Sequence, residues 1–358
     1  MQKQIEYLSK KTLDLSLRNP QINFKKERLT NIHIQNDMQY FYDHLVKNEK
    51  GINIGQGKET LLTNFSINEL QSKVEYLYTK QKQIINEYGF HPLYAVFGLL
   101  KWTDLSTRKE VHSPLLMVPV EIIKKGRKTL NLSHNGDQIV LNPTLVHRLS
   151  MDQVDLTVYD LLEHQAFDIY HYLNTIKQTL EKHESFEVIE ESYLGFFSST
   201  HLYIYKDLEE NKTKIENHKI IQKLYQKDEG LLPDKKIKAE DIDSMWKETE
   251  NYQIYTADGS QETATLASRS EVSFVLQGPP GTGKSQTITN IIAQAMAENK
   301  KVLFVAEKKA ALEVVSQKLK SKGLDIFTLD LHHYQVKKDH LINQLVEALK
   351  EHEQFKYK

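Results

Sequence analysis

Eight consecutive residues, Gly278-Pro279-Pro280-Gly281-Thr282-Gly283-Lys284-Ser285, satisfy the pattern GxxxxGK(S/T). Each position has a chemical use. Gly281 and Gly283 allow backbone angles that side chains forbid, so successive N–H groups can turn toward one anion. A helix starting just after the loop adds its positive end to the same spot. Lys284 supplies a point charge for β- and γ-phosphates, and the Ser285 hydroxyl suits a magnesium ion. The pattern alone is weak, because glycine is common. Here an apolar run, Val272–Leu276, precedes it, and a helical spacing through Ile288, Ile292, Ala295 and Met296 follows. Strand, loop and helix together predict a nucleotide-phosphate site for ATP with magnesium.

That site needs a scaffold, and residues 251–358 read as β-α-β-α-β-α. SFVLQ, KVLFVA and IFTLDL are the expected strands. The expected helices follow the loop, span Lys308–Lys322 up to Gly323, and span Asp339–Glu351. Such alternation implies parallel crossovers. Hydrolysis also needs an acid to hold the metal. The only candidate of suitable form is Asp330 in IFTLDLHH, and its place inside the run reads as an ordinary strand residue.

The first two hundred residues have another texture. Residues 1–110 read as mainly helical. One helix carries Ile5, Leu8, Leu13 and Leu17 and stops at Pro20. A second starts at a Ser66–Glu69 capping box, carries Leu70, Val74 and Leu77, and closes at Gly89. Residues 113–145 read as an antiparallel meander, with Asn135-Gly136 as a hairpin turn. A helix through Ile169, Leu173, Ile176 and Leu180, a strand at Phe186–Leu194 and a helix near 201–209 follow. Between Lys206 and Glu250, 22 of 45 residues are charged, against 27% overall, so this stretch reads as exposed helix and linker. The expected organisation is an α+β domain over 1–205, a charged linker over 206–250 and an α/β P-loop domain over 251–358.

The totals narrow the class. With 358 residues, the chain has room for two or three domains. Lys plus Arg is 47 and Asp plus Glu is 48, so any nucleic-acid contact rests on local patches. The absence of cysteine removes disulfides and thiolate metal sites and suits a cytoplasmic setting. The charged N-terminus lacks a signal-peptide core, and the longest apolar run, Leu93–Trp102, is too short to cross a bilayer. Fifteen histidines, His332-His333 included, show no metal-ligand spacing. KKGRK at 124–128 reads as a solvated hairpin tip, as do Lys25, Lys26 and Arg28.

The stretch from ADGSQETATLAS through GPPGTGKSQT and VAEKKAA to LDLHH resembles the opening of a superfamily 1 helicase core of the Upf-like type, across residues 257–335. The resemblance implies a RecA-like fold. It also implies adenine reading by Gln261 and a nucleotide loop that includes Pro279, Pro280, Thr282 and Gln286. Lys308 and Lys309 in VAEKKAA would then touch single-stranded DNA or RNA. Read from the residues alone, the alternatives are a helix-capping residue for Gln261 and a solvated first turn of helix for Lys308 and Lys309. LDLSLRNPQINF at 13–24, LYAVFGLLKW and SPLLMVPVEI resemble a domain of unknown function. That domain opens large bacterial helicase-like proteins associated with phage defence. The helicase family continues into a magnesium-holding acid, further motifs and a second RecA-like domain. The sequence ends at EHEQFKYK ahead of them, which predicts an incomplete P-loop sheet, few turnovers by the chain alone, and room for a partner chain.

Overall fold

The computed structural model describes residues 2–12, 14–27, 30–47, 51–54, 60–88, 90–125, 129–156, 167–183, 185–197, 200–226, 250–270, 273–329, 331 and 338–355. Expectations placed on Arg28, Gly89, the hairpin tip 126–128, the linker stretch 227–249, Asp330 and His332-His333 lie outside these residues. The chain forms two compact units: Met1–Ile85 with His91–Glu216, and Asn86–Phe90 with Asn217–Lys358.

The first unit is built on one antiparallel sheet. Its strands are β1 (Ile32–Ile34), β2 (Ile52–Ile54), β3 (Leu93–Asp104), β4 (Lys109–Lys125), β5 (Thr129–His134), β6 (Val140–Leu141) and β7 (Glu187–Phe196). They pair in the order β1-β7-β3-β4-β5-β2, with β6 also on β4. Around them run α1 (Gln2–Thr12), α2 (Met38–Tyr42), α3 (Ile67–Tyr88), α4 (Pro143–Met151), α5 (Ile169–Leu180) and α6 (Thr200–Glu210). Helix α7 (Lys212–Asn217) closes this unit, and α8 (Lys219–Gln226) belongs to the second. The long β4 pairs β3 along its first part and β5 along its last, which curls the sheet.

Residues 1–110 are therefore not mainly helical, because Leu93–Asp104 is a central strand. It shows no simple alternation because both its faces are buried. Its register also shifts between Phe97 and Leu99, at Gly98 with φ +76°. That bulge moves the inward set from Leu93, Ala95 and Phe97 to Leu100 and Trp102, while Val96 and Leu99 join the apolar cluster on the other face. The period of two is broken midway, so the run reads as featureless apolar sequence.

The first helix also ends earlier than expected, at Thr12 rather than Pro20. Polar side chains in the following segment bond the backbone locally and compete with helix. Ser16 N–H donates to Asp14 Oδ1, and Asn19 Nδ2 donates to Asp14 O. The segment is then threaded into the core. Trp102 Nε1 donates to Ser113 Oγ, which donates to Ile22 O, and Asn142 Nδ2 donates to Gln21 O and Pro114 O.

Other expectations hold. Ser66 and Glu69 form a reciprocal cap on α3, which buries Leu70, Val74 and Leu77. Helix α5 buries Ile169, Leu173, Ile176 and Leu180. Gly136 has φ +91° and makes a turn, but not a hairpin between neighbours: β5 and β6 both pair with β4, not with each other.

The second unit contains α9 (Gly259–Arg269), α10 (Lys284–Ala297), α11 (Lys309–Lys320), a 3-10 turn (Asp325–Phe327) and α12 (Lys338–Phe355). Ile292, Val315 and Leu319 form its small core, with Ile254, Ile288, Met296, Phe304 and Leu324 packed on it. The three expected strands are a correction. Among the described residues, 273–277 and 300–306 carry no sheet ladder, and 325–327 form the 3-10 turn. An extended segment becomes a strand only by pairing. Here Val275, Leu303 and Val305 remain 88%, 81% and 74% exposed. The helical half of the expected alternation is present, with Gly323 at φ +72° after α11.

Candidate functional site

The loop Gly278–Gly283 leads directly into α10. Gly281 and Gly283 have φ +87° and +76°, the left-handed region that glycine tolerates best. A Cβ on Gly278 would lie 2.7 Å from Thr282 Oγ1, and nothing stands within 4 Å of one on Gly281. The loop is thus tight on one side and open on the other. Thr282 Oγ1 donates to Pro279 O at 2.8 Å and fixes the turn. Gly283 offers no side-chain cap to α10, and Gly283 O accepts from the N–H groups of Gln286 and Thr287, so the positive end of the helix lies at Lys284 and Ser285.

Lys284 Nζ donates to Pro279 O at 2.6 Å and also to Gly278 O. The ammonium group is thereby folded over the loop it serves. Ser285 follows at the first turn of α10, its carbonyl accepting from Thr289 Oγ1. Donor N–H groups, one ammonium and one hydroxyl fit a magnesium-bound polyphosphate.

Gln261 is brought to the same place from α9. Its backbone N–H and that of Ser260 donate to Asp258 Oδ1, and its Oε1 accepts from the Asp258 N–H. This is a reciprocal capping box. Hydrogen bonds from the backbone of Gln261 and from Ser260 hold the Asp258 carboxyl below its usual range. Gln261 Nε2 then donates to Thr282 O at 3.2 Å. A Cβ on Gly283 would sit 2.5 Å from that nitrogen, so Gly283 is needed for room as well as for its φ. The capping role and the place beside the loop coexist in one side chain.

Gln286 Nε2 donates to Thr256 O at 2.8 Å. Its neighbours along α10, Asn290 and Gln294, are fully buried and also bond the 250–256 backbone. Sequence reasoning passed over both. The signal was present as QxxxNxxxQ, three amides at helical spacing.

Arg269 on α9 bonds Glu298 and Glu250 and ties α9 to the end of α10. Burial acts to raise the Glu298 pKa. Hydrogen bonds from Gln294, Lys300 and Arg269 outweigh it and bring the group to about 2.

Lys308 lies just before α11. Its Nζ pairs at 2.9 Å with Glu87, which belongs to the same compact unit, and this bond raises the lysine pKa and lowers the glutamate's. Lys309 pairs with Glu313 at 3.4 Å. The Lys308 side chain is exposed and that of Lys309 mostly covered, and neither touches the loop in any described contact. Among the described residues no cluster of histidine and acidic side chains could hold a metal ion. No helix among them is long and apolar enough to cross a membrane.

Residues 11–149 match the family described as protein of unknown function DUF4011, and residues 256–355 match an AAA domain. The uncharacterized ATP-dependent helicase MG140 of Mycoplasma genitalium is 24% identical over 332 residues, 83% of this chain and 28% of that protein. The MG140 homolog of Mycoplasma pneumoniae is 55% identical over 47 residues, 13% of this chain and 4% of its own length. The uncharacterized ATP-dependent helicase MJ0104 of Methanocaldococcus jannaschii is 33% identical over 84 residues, 23% of this chain and 13% of that protein. The chain thus spans less than a third of the length of the curated relatives it matches. No solved structure matches. By these matches the chain joins a segment that matches DUF4011 to one that matches an AAA domain, and it is similar in sequence to proteins named as uncharacterized ATP-dependent helicases.

Proposed function

We propose that the second unit binds ATP with magnesium as part of a nucleic-acid-dependent, helicase-type ATPase. The observation that carries this reading is the Gln261 amide bonded to Thr282 O, against the glycine of the phosphate loop. One N–H of that amide is used on Thr282 and one Oε1 lone pair on the Asp258 N–H. The amide keeps one donor and one acceptor. That pair matches the N7 acceptor and N6 donor of adenine, the bidentate recognition that glutamine gives this base. Guanine presents two acceptors there and would meet the glutamine oxygen unfavourably.

The phosphate end follows from the loop. Backbone N–H groups at the start of α10 and the Lys284 ammonium neutralise β- and γ-phosphates, and Ser285 offers its hydroxyl to magnesium. The bound ion would screen phosphate charge and polarise the γ-phosphoryl group. Lys308 and Lys309 are the proposed contacts to the backbone of single-stranded DNA or RNA, each adding about one unit to the salt dependence.

Equilibrium titrations of MgATP, MgGTP and a single-stranded oligonucleotide test the reading. ATP is expected to bind about tenfold tighter than GTP, the value of one good bidentate pair. Oligonucleotide binding is expected to weaken as salt rises. Equal affinities for ATP and GTP would remove the role given to Gln261, and no nucleotide binding would remove the whole proposal.

A second reading is favoured by the exposed apolar segments around Val275, Leu303 and Val305. Such segments suit pairing with strands of a partner chain, which would make this chain an interaction or regulatory subunit. Light scattering on co-expressed neighbours decides it, since a strictly monomeric species sinks it. Phage defence in the cytoplasm is the proposed biological setting and rests on the N-terminal resemblance. Unchanged phage plating on cells carrying a Lys284→Ala gene would remove it.

A further inference from the structure

Helix α10 does more than follow the phosphate loop. Gln286, Asn290 and Gln294 lie four residues apart and therefore share a face. All three grip the backbone of one irregular segment, Glu250 to Thr256. Gln286 Nε2 donates to Thr256 O at 2.8 Å. Asn290 Oδ1 accepts from the N–H groups of Ile254 and Tyr255 at 3.2 and 3.0 Å, and its Nδ2 donates to Tyr255 O at 2.9 Å. Gln294 Oε1 accepts from Tyr252 N–H and its Nε2 donates to Glu250 O, both at 2.9 Å.

The spacing has a simple cause. Four residues of α-helix rise about 6 Å, and two residues of extended chain span about 6.6 Å. An amide at every fourth helical position therefore meets peptide groups two or three residues apart. Asn290 and Gln294 are 0% and 1% exposed, so the helix side of their bonds is shielded from water. Without the segment the buried Asn290 and Gln294 amides would lose these partners, at a cost of about 1–3 kcal/mol each.

What the grip fixes is the start of α9. Thr256, held by Gln286, stands two residues before Asp258, the cap of α9, and Gln261 is the third residue of that helix. The path from α10 to the adenine-reading amide is therefore short, and Gln261 closes it by bonding Thr282 in the loop. The phosphate cradle and Gln261 hang from the same helix, one from its N-terminus and one through the amide ladder. Ile254, whose N–H is one of the gripped groups, also packs its side chain on the Ile292 core.

We propose that Asn290 and Gln294, with Gln286, are positioning residues that set the distance between the base-reading amide and the phosphate cradle. This makes them determinants of nucleotide-base selectivity, although Asn290 and Gln294 lie away from the loop. The inference rests on the adenine reading of Gln261.

The test uses the full chain and two near-isosteric variants, Asn290→Asp and Gln294→Met. Asn290→Asp keeps the acceptor for two N–H groups and loses the donor to Tyr255 O, placing a carboxylate against a carbonyl. Binding of MgATP, MgGTP and magnesium tripolyphosphate is measured for each, with Gln261→Ala beside them. The expected result for Asn290→Asp is a loss of about tenfold in the ATP-to-GTP ratio, tripolyphosphate affinity holding within about twofold. Gln294→Met is expected to move the ratio in the same direction by a smaller factor. Gln261→Ala should reproduce the pattern, because the ladder acts through it. An unchanged ratio in the ladder variants overturns the proposal while leaving Gln261 in place. Parallel loss of ATP, GTP and tripolyphosphate binding also overturns it, since the ladder would then only hold the fold together. A wild-type chain with no preference for ATP over GTP overturns the adenine reading and this inference with it.

Discussion

Lys284→Ala lowers the affinity of the chain for MgATP by about a hundredfold, and lowers that for MgGTP and magnesium tripolyphosphate by the same factor. The size follows from the bonds involved. A hydrogen bond to a charged partner contributes about 1.5–3 kcal/mol, and the ammonium group is placed to make two, to β- and γ-phosphate oxygens. In the free protein, Nζ is bonded to the carbonyls of Gly278 and Pro279. Those bonds must be exchanged for phosphate, so the net gain is smaller than two full bonds, about 3 kcal/mol. Isothermal titration checks it, with fluorescence melting to show that the variant stays folded. The side chain packs over the loop rather than within the core, so little loss of stability is expected. The pattern separates two roles at one site: a phosphate residue shifts all three ligands together, whereas a base-reading residue shifts only the ATP-to-GTP ratio. A Lys284→Ala chain binding MgATP within about threefold of wild type would contradict the assignment of the loop.

That loop was legible in the sequence because its chemistry is local. Gly281, Gly283, Lys284 and Ser285 need only their own backbone and the following helix to form a site. Helices α3, α5, α10 and α11 were legible for the same reason, since a cap and an i, i+4 stripe are read within one segment. Strands are a different matter. Leu93–Asp104 hid its period because the bulge at Gly98 exchanges its two faces and both are covered. Conversely, SFVLQ and KVLFVA have the composition of strands and yet carry no ladder among the described residues, because composition does not supply a partner. The Asn290 and Gln294 grip was missed because amides on a helix look like surface. Only the fold shows that this face is buried on a backbone segment 35 to 44 residues earlier. Gln261 lay between these cases: its distance from the loop suggested a role, and the structure bonds its amide both to the cap of α9 and to Thr282 in the loop.

Asp104→Ala destabilises the first unit by about 3–5 kcal/mol, the range for removing one partner of a buried ion pair. Asp104 ends β3, and its side chain is 4% exposed. Oδ2 accepts from Ser106 Oγ, Thr107 N–H and Thr107 Oγ1 at 2.6, 2.9 and 2.6 Å, which closes the turn into β4. Oδ1 accepts from Arg148 at 2.7 Å, and that guanidinium group also bonds Asp152 and lies over the Trp102 ring. Without the carboxylate, Arg148 keeps one acid partner and a hydrophobic face, and the turn loses its acceptor. Burial alone would raise the Asp104 pKa, but the bonds from Ser106, Thr107 and Arg148 outweigh it and set it at about 2, below the ordinary 3.8. The sign of the pH effect follows. A lowered folded-state pKa gives stability that is fully present above the unfolded value, and that is lost as pH falls from about 4 toward 2. The wild-type chain should therefore lose on the order of 2 kcal/mol across that window, and Asp104→Ala should lose correspondingly less. Urea unfolding followed by Trp102 fluorescence, in a Trp246→Phe background, reads both effects, because the chain has two tryptophans and the other would then be absent. Asp104→Asn separates the contributions: it keeps an acceptor for the turn but gives up the charge, so its deficit should fall between the two. If the three proteins lost stability in parallel on acidification, the protonation of Asp104 would not be what weakens this unit in acid.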